Sequence, residues 1–104
     1  MNLKGYTSVR LPVPVAVQNL VLRDYCRRNN HDYFLADVEY VMPGSLVMLR
    51  GMKDYDFPGI VAYSMFMAPL SEWLALKKEV HFALEGYILP RDLETCEAIW
   101  RIAA

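Results

Sequence analysis

The residues of this chain with chemistry to offer are Ser8, Arg10, Glu39, Tyr40, Ser64, His81 and Glu85. A guanidinium such as that of Arg10 grips a phosphate or carboxylate through a bidentate fork. Glu39 and Glu85, if they share one cleft, can divide acid and base work, because proton transfer needs tuned carboxyls near the reacting atom. His81 titrates near neutrality and suits a general base. Ser8, Tyr40 and Ser64 supply hydroxyls. The set suits a polyhydroxylated or phosphorylated small molecule, with Glu39, Glu85 and His81 as catalytic candidates and Arg10, Ser8, Tyr40 and Ser64 as binding candidates.

Each candidate also has a structural reading. Arg10 can pair with Glu39, and two carboxyls can simply cap a sheet edge. Ser64 has no GxSxG context and can serve as a hydrogen-bonded core hydroxyl. His81 can hydrogen-bond a neighbouring helix. On one extended strand His81 and Glu85 stand roughly 13 Å apart, too far to chelate one ion. No Cys/His spacing resembles a zinc site, and GxGxxG and Walker loops are absent. Neither a metal nor a cofactor is expected.

The elements that must position these groups alternate along the chain. A first strand over 4–9 is rich in β-branched and aromatic residues. Pro12 and Pro14 stop it, and Pro14 opens a helix over 15–28. On that helix Val17, Leu20, Val21, Asp24 and Tyr25 follow an apolar rhythm that Asp24 interrupts. A carboxylate on such a stripe needs a partner, for which Arg23, Arg28 or Tyr6 would serve. Asn29-Asn30 is a natural stop. A second strand covers 33–38 and a short helix 46–53. The most apolar strand, 59–66, belongs at the centre of a sheet. A brief helix from Pro69 through 78, a fourth strand over 80–85, a loop over 86–90 and a last helix from Asp92 complete the order.

This alternation predicts a single α/β domain over 1–104, with a four-stranded parallel sheet of order 2-1-3-4 and helices on both faces. The link between the third and fourth strands is near the minimum for a parallel crossover, so that pair is where a break is expected. In such a sheet ligands bind beyond the strands' carboxyl ends. Ser8, Arg10, Glu39, Tyr40, Ser64 and Glu85 would all gather there.

Composition narrows the functional classes. Net charge is −1 and the bases are dispersed, which argues against a nucleic-acid module. The single basic cluster, Arg23, Arg27 and Arg28, falls where cations favour the end of a helix. Cys26 and Cys96 are isolated thiols, and no signal peptide precedes them, so a cytoplasmic location is expected. The longest apolar stretch, 59–70, is too short to span a bilayer. The 55% apolar share is high for so small a body and points to a homo-oligomer.

Two resemblances bear on this reading. Gly5-Tyr6-Thr7-Ser8-Val9, the Gln18-containing helix, Gly59-Ile60-Val61 and the 80–85 strand with its trailing Gly86 resemble the catalytic domain of serine recombinases. The resemblance implies a resolvase-like fold without the chemistry. The nucleophilic serine expected after the first strand falls at Arg10, or at Val9 or Leu11 beside it. The arginines of the third-strand region are replaced by Ala62-Tyr63-Ser64-Met65-Phe66-Met67-Ala68-Pro69, so a phosphodiester transition state has no cationic partner there.

The chain also resembles the sporadic carbohydrate cluster proteins of bacteria. That likeness runs through Val17-Gln18-Asn19-Leu20-Val21-Leu22-Arg23-Asp24-Tyr25-Cys26, Glu39-Tyr40-Val41-Met42, Gly59-Ile60-Val61-Ala62-Tyr63-Ser64 and His81-Phe82-Ala83-Leu84-Glu85. It implies genes for surface sugars or glycosylated metabolites as neighbours, and it carries over no catalytic residue. Two functions therefore compete. One is an enzyme acting on a sugar or other polar metabolite at the strand ends. The other is a non-catalytic accessory subunit whose contact uses Met65, Phe66, Met67 and Trp73, or the helix of Trp100.

Overall fold

The sheet is built around β1 (Asn2–Ser8), which lies between β2 (Asp32–Glu39) and β3 (Gly59–Ala62). The computed structural model describes residues 1–39, 46, 49 and 57–91. Among these, β4 (Glu79–Phe82) pairs with β3, and β5 (Tyr87–Leu89) completes the order β2-β1-β3-β4-β5. The first four strands are parallel, in the order 2-1-3-4 that alternation implies. All four residues of β3 are buried, as a strand covered on both faces must be.

The fifth strand corrects the purely parallel expectation. The segment read as a loop, 86–90, contains β5, which runs antiparallel to β4 with Phe82 opposite Tyr87 and Val80 opposite Leu89. The turn tightens at Gly86, whose φ of 69° suits a residue without Cβ and whose N–H bonds the Phe82 carbonyl at 2.8 Å. The sheet is therefore mixed. The pair suspected of breaking the pattern, β3 with β4, is parallel.

Helices flank both faces. α1 (Val15–Arg28) starts where Pro14 accepts from the N–H groups of Val17 and Gln18, both at 3.0 Å. It ends as Asn29-Asn30 suggested. Asn30 takes φ 57°, and the His31 N–H bonds the Cys26 carbonyl at 2.8 Å. That six-to-one bond over a left-handed residue is a Schellman closure. The buried stripe of α1 is Gln18, Leu22, Tyr25 and Cys26, not the one read from Val17, Leu20 and Asp24. Leu20 is 63% exposed. Asp24 instead meets Arg27 at 2.7 Å and Arg28 at 2.8 Å on the solvent side.

Leu22, Tyr25 and Cys26 pack on Leu3 and Val61 to form one apolar layer. The opposite layer joins Tyr6, Ile60, Ala62, Val80, Phe82 and Leu89 to Met67 and Trp73. Trp73 lies on α2 (Leu70–Ala75), which follows a 3₁₀ turn at Met65–Met67. Its indole meets Phe82 and Tyr6 edge-on, and its N–H donates to the Met65 and Ala68 carbonyls. Trp73 is thus buried within its own chain. No helix among the described residues is long and apolar enough to cross a membrane. The expected helix 46–53, apart from Leu46 and Leu49, and the last helix beyond Arg91, with Cys96 and Trp100, lie outside the described residues.

Candidate functional site

Parallel strands deliver Ser8, Arg10, Glu39, Ser64 and Glu85 to one carboxyl-end rim, but the rim does not concentrate them. β2 and β4 are three strand spacings apart, so Glu39 and the Glu85 turn stand roughly 14 Å from each other across the sheet. Glu39 and Glu85 thus enter the rim from opposite sides of the β1–β3 pair. Tyr40 lies outside the described residues.

At the β1–β2 corner the polar groups build the fold. Gln18, fully buried, accepts from the Ser8 N–H at 3.0 Å and donates to the Ser8 and Val13 carbonyls, each at 2.8 Å. Its amide thereby ties the end of β1 to the loop that enters α1. The Ser8 hydroxyl accepts from the Arg10 N–H at 3.1 Å. Glu39 is 1% exposed, and its Oε1 accepts from the Tyr6 hydroxyl at 3.1 Å. Burial, together with the Glu39 charge and hydrogen bond, pushes the Tyr6 phenol well above its ordinary range. Tyr6 stays a proton donor. Arg10 stands exposed beside this corner.

The β3–β4 corner is a second, separate construction. Ser64 donates to Glu85 Oε2 at 2.9 Å, and the Met65 N–H donates to Glu85 Oε1 at 2.7 Å. Ser64 Oγ also accepts from the Phe66 N–H at 3.2 Å, capping the 3₁₀ turn. Ser64 is thus a hydrogen-bonded hydroxyl with Glu85 as its acceptor.

His81 belongs to neither corner. It shares a register row with Val61 and faces α1, where its Nδ1 lies 2.7 Å from the Tyr25 hydroxyl and its Nε2 2.8 Å from Glu79 Oε2. Glu79, an acceptor only, places a ring proton on Nε2. The expectation that His81 and Glu85 share a strand face is corrected, because β4 ends at Phe82 and Glu85 falls in the turn. Nothing in sequence spacing links Tyr25 to His81, 56 residues on.

The concave feature that sequence reasoning found only in part is apolar. A cavity of about 240 Å³ opens between the β4–β5 face and the 65–73 segment, lined by Met65, Phe66, Ala68, Pro69, Leu70, Trp73, Phe82, Tyr87 and Leu89. Of the apolar set Met65, Phe66, Met67 and Trp73 expected at a subunit contact, all but Met67 line the cavity, and β5 adds Tyr87 and Leu89. Phe66 at its mouth is 84% exposed. Among the described residues, no three His, Cys, Asp or Glu side chains converge to hold a metal ion.

Fold and cavity define a small mixed-sheet α/β domain with an apolar pocket beside its strand ends. No family model, curated protein or solved structure matches the chain.

Proposed function

We propose that this chain is a non-catalytic binding subunit of bacterial carbohydrate or secondary-metabolite biosynthesis, holding the apolar part of a small metabolite in the Phe66–Trp73 cavity. The observation that carries the binding reading is that cavity, walled by nine residues without a carboxylate or base. At about 240 Å³ it exceeds the ~150 Å³ engineered void that accepts benzene, so one substituted ring fits. The rim's polar groups support the non-catalytic half. Ser8, Ser64, Glu39 and Glu85 all hold backbone or side-chain partners within the fold.

The pathway rests on the sporadic carbohydrate cluster resemblance. A glycosylated metabolite has an apolar portion for such a pocket, and a bare sugar does not. A cytoplasmic location and self-association belong to the same reading. Phe66, Leu84 and Ile88 are 84%, 57% and 45% exposed. Apolar surface of that kind favours a subunit contact.

The test is titration of the full chain with an anilinonaphthalene dye, with Ala68→Phe as the cavity-filling variant. Binding to the native protein at micromolar dye, lost in a variant of unchanged melting temperature, is the expected result. Equal binding by both proteins, or none by either, would remove the proposal.

A further inference from the structure

The corner where α1 ends carries a cluster that neither the rim nor the cavity uses. His31 follows the left-handed Asn30, and its backbone N–H closes the helix on Cys26. This fixes the imidazole beneath the helix end. The ring lies 4.9 Å from that of His81, edge to face, and 6.3 Å from that of Tyr25, stacked. Its Nδ1 is buried and has no hydrogen-bond partner among the described residues. A neutral imidazole tolerates this position, since Nδ1 can remain a bare acceptor with the proton on Nε2. A proton at Nδ1 would create a buried charged donor with no acceptor, against an aromatic wall already committed to Tyr25 and Glu79.

We propose that His31 is a proton-sensitive latch: neutral, it holds the end of α1 and the start of β2 against β4, and on taking a proton it releases that corner. Among the described residues, the groups facing it come from three elements and the start of the chain. α1 presents Tyr25 and Cys26, β4 presents His81 and Glu79, and the Met1 ammonium approaches from β1. Asp32 follows it directly in the chain, and Arg28 acts on the cluster through Tyr25. Burial, His81 and the Met1 ammonium depress its titration below the ordinary 6.5, while Glu79 pulls weakly the other way.

The sign follows from linkage. With its folded pKa lowered, His31 contributes stability that is fully present above the unfolded value near 6.5 and is lost as pH falls from there through the folded value. The loss should be local, because the layer on the opposite face of the sheet, with Tyr6, Ala62, Phe82 and Trp73, does not pack against this corner. Release would loosen the first residues of β2, whose Asp32 N–H bonds the Met1 carbonyl at 3.0 Å.

Nuclear magnetic resonance on the full chain tests the latch. The His31 ring should titrate below the ordinary histidine value. The intrinsic-rate-corrected exchange of its amide should accelerate about fivefold or more from about pH 7.5 to about pH 5.5, with Ala62, in the opposite layer, unchanged. His31→Phe keeps the ring and removes the titration, so it should abolish the acceleration. Titration of His31 at or above the ordinary value, or the same acceleration in His31→Phe, would overturn the proposal. The ring titration needs no variant and stands even if His31→Phe folds poorly.

Discussion

Glu85 receives the Ser64 hydroxyl at 2.9 Å across 21 residues of chain, and with the Met65 N–H at 2.7 Å it clasps the segment leaving β3 to the turn leaving β4. That clasp sits beside Met65 and Phe66 at the cavity mouth. A carboxylate with catalytic credentials by residue type is therefore a bracket by geometry.

Glu85→Gln separates the two roles. An amide that keeps its oxygen on the Met65 N–H turns its NH2 toward Ser64, reversing that bond and giving Oγ a second donor beside the Phe66 N–H. The expected cost is about 1–3 kcal/mol, the range for a disrupted hydrogen bond at a partly buried group. Urea unfolding measures it. An unchanged midpoint would show that the clasp contributes nothing.

Gln18 has a larger structural burden than any rim residue. Replacing it by Leu leaves the Ser8 N–H and the Ser8 and Val13 carbonyls without their side-chain partner. A loss on the order of 2–4 kcal/mol is expected from several abandoned backbone groups. Far-ultraviolet melting curves of Gln18→Leu and Gln18→Glu should both fall. The carboxylate can accept from Ser8 but cannot donate to either carbonyl.

Cys26 should be chemically silent. It is 1% exposed, and burial pushes its thiol up to about 11, so at pH 8 only about one thiol in a thousand is ionised. In a Cys96→Ser background, an aromatic disulfide reagent should leave the native chain unlabelled and modify it at once in urea. The rate should climb about tenfold per pH unit until the thiol itself titrates. Rapid native labelling at pH 8 would contradict the packing of α1 on β1.

Much of this architecture was legible locally. Pro14 and Asn29-Asn30 bracket α1 because both act on their own backbone, one by presetting φ and the other by tolerating the left-handed turn. The β-branched run at 59–62 and the strand–helix alternation likewise carried the parallel order 2-1-3-4. Gly86 was a readable turn signal. Its consequence was missed because the three-residue β5 is too short to announce itself by alternation.

The site was decided elsewhere. On a strand one residue of register exchanges the faces, so pairing His81 with Val61 turned it toward Tyr25, while ending β4 at Phe82 freed Glu85 for Ser64. On α1, Val17 and Leu20 were apolar enough for the core, yet packing turned Gln18 inward because the end of β1 needed its amide. By itself the sequence determined where chain segments begin, end and alternate, since those signals act within a few residues. Only the tertiary structure decided which polar groups meet, because their partners lie tens of residues away and are chosen by burial.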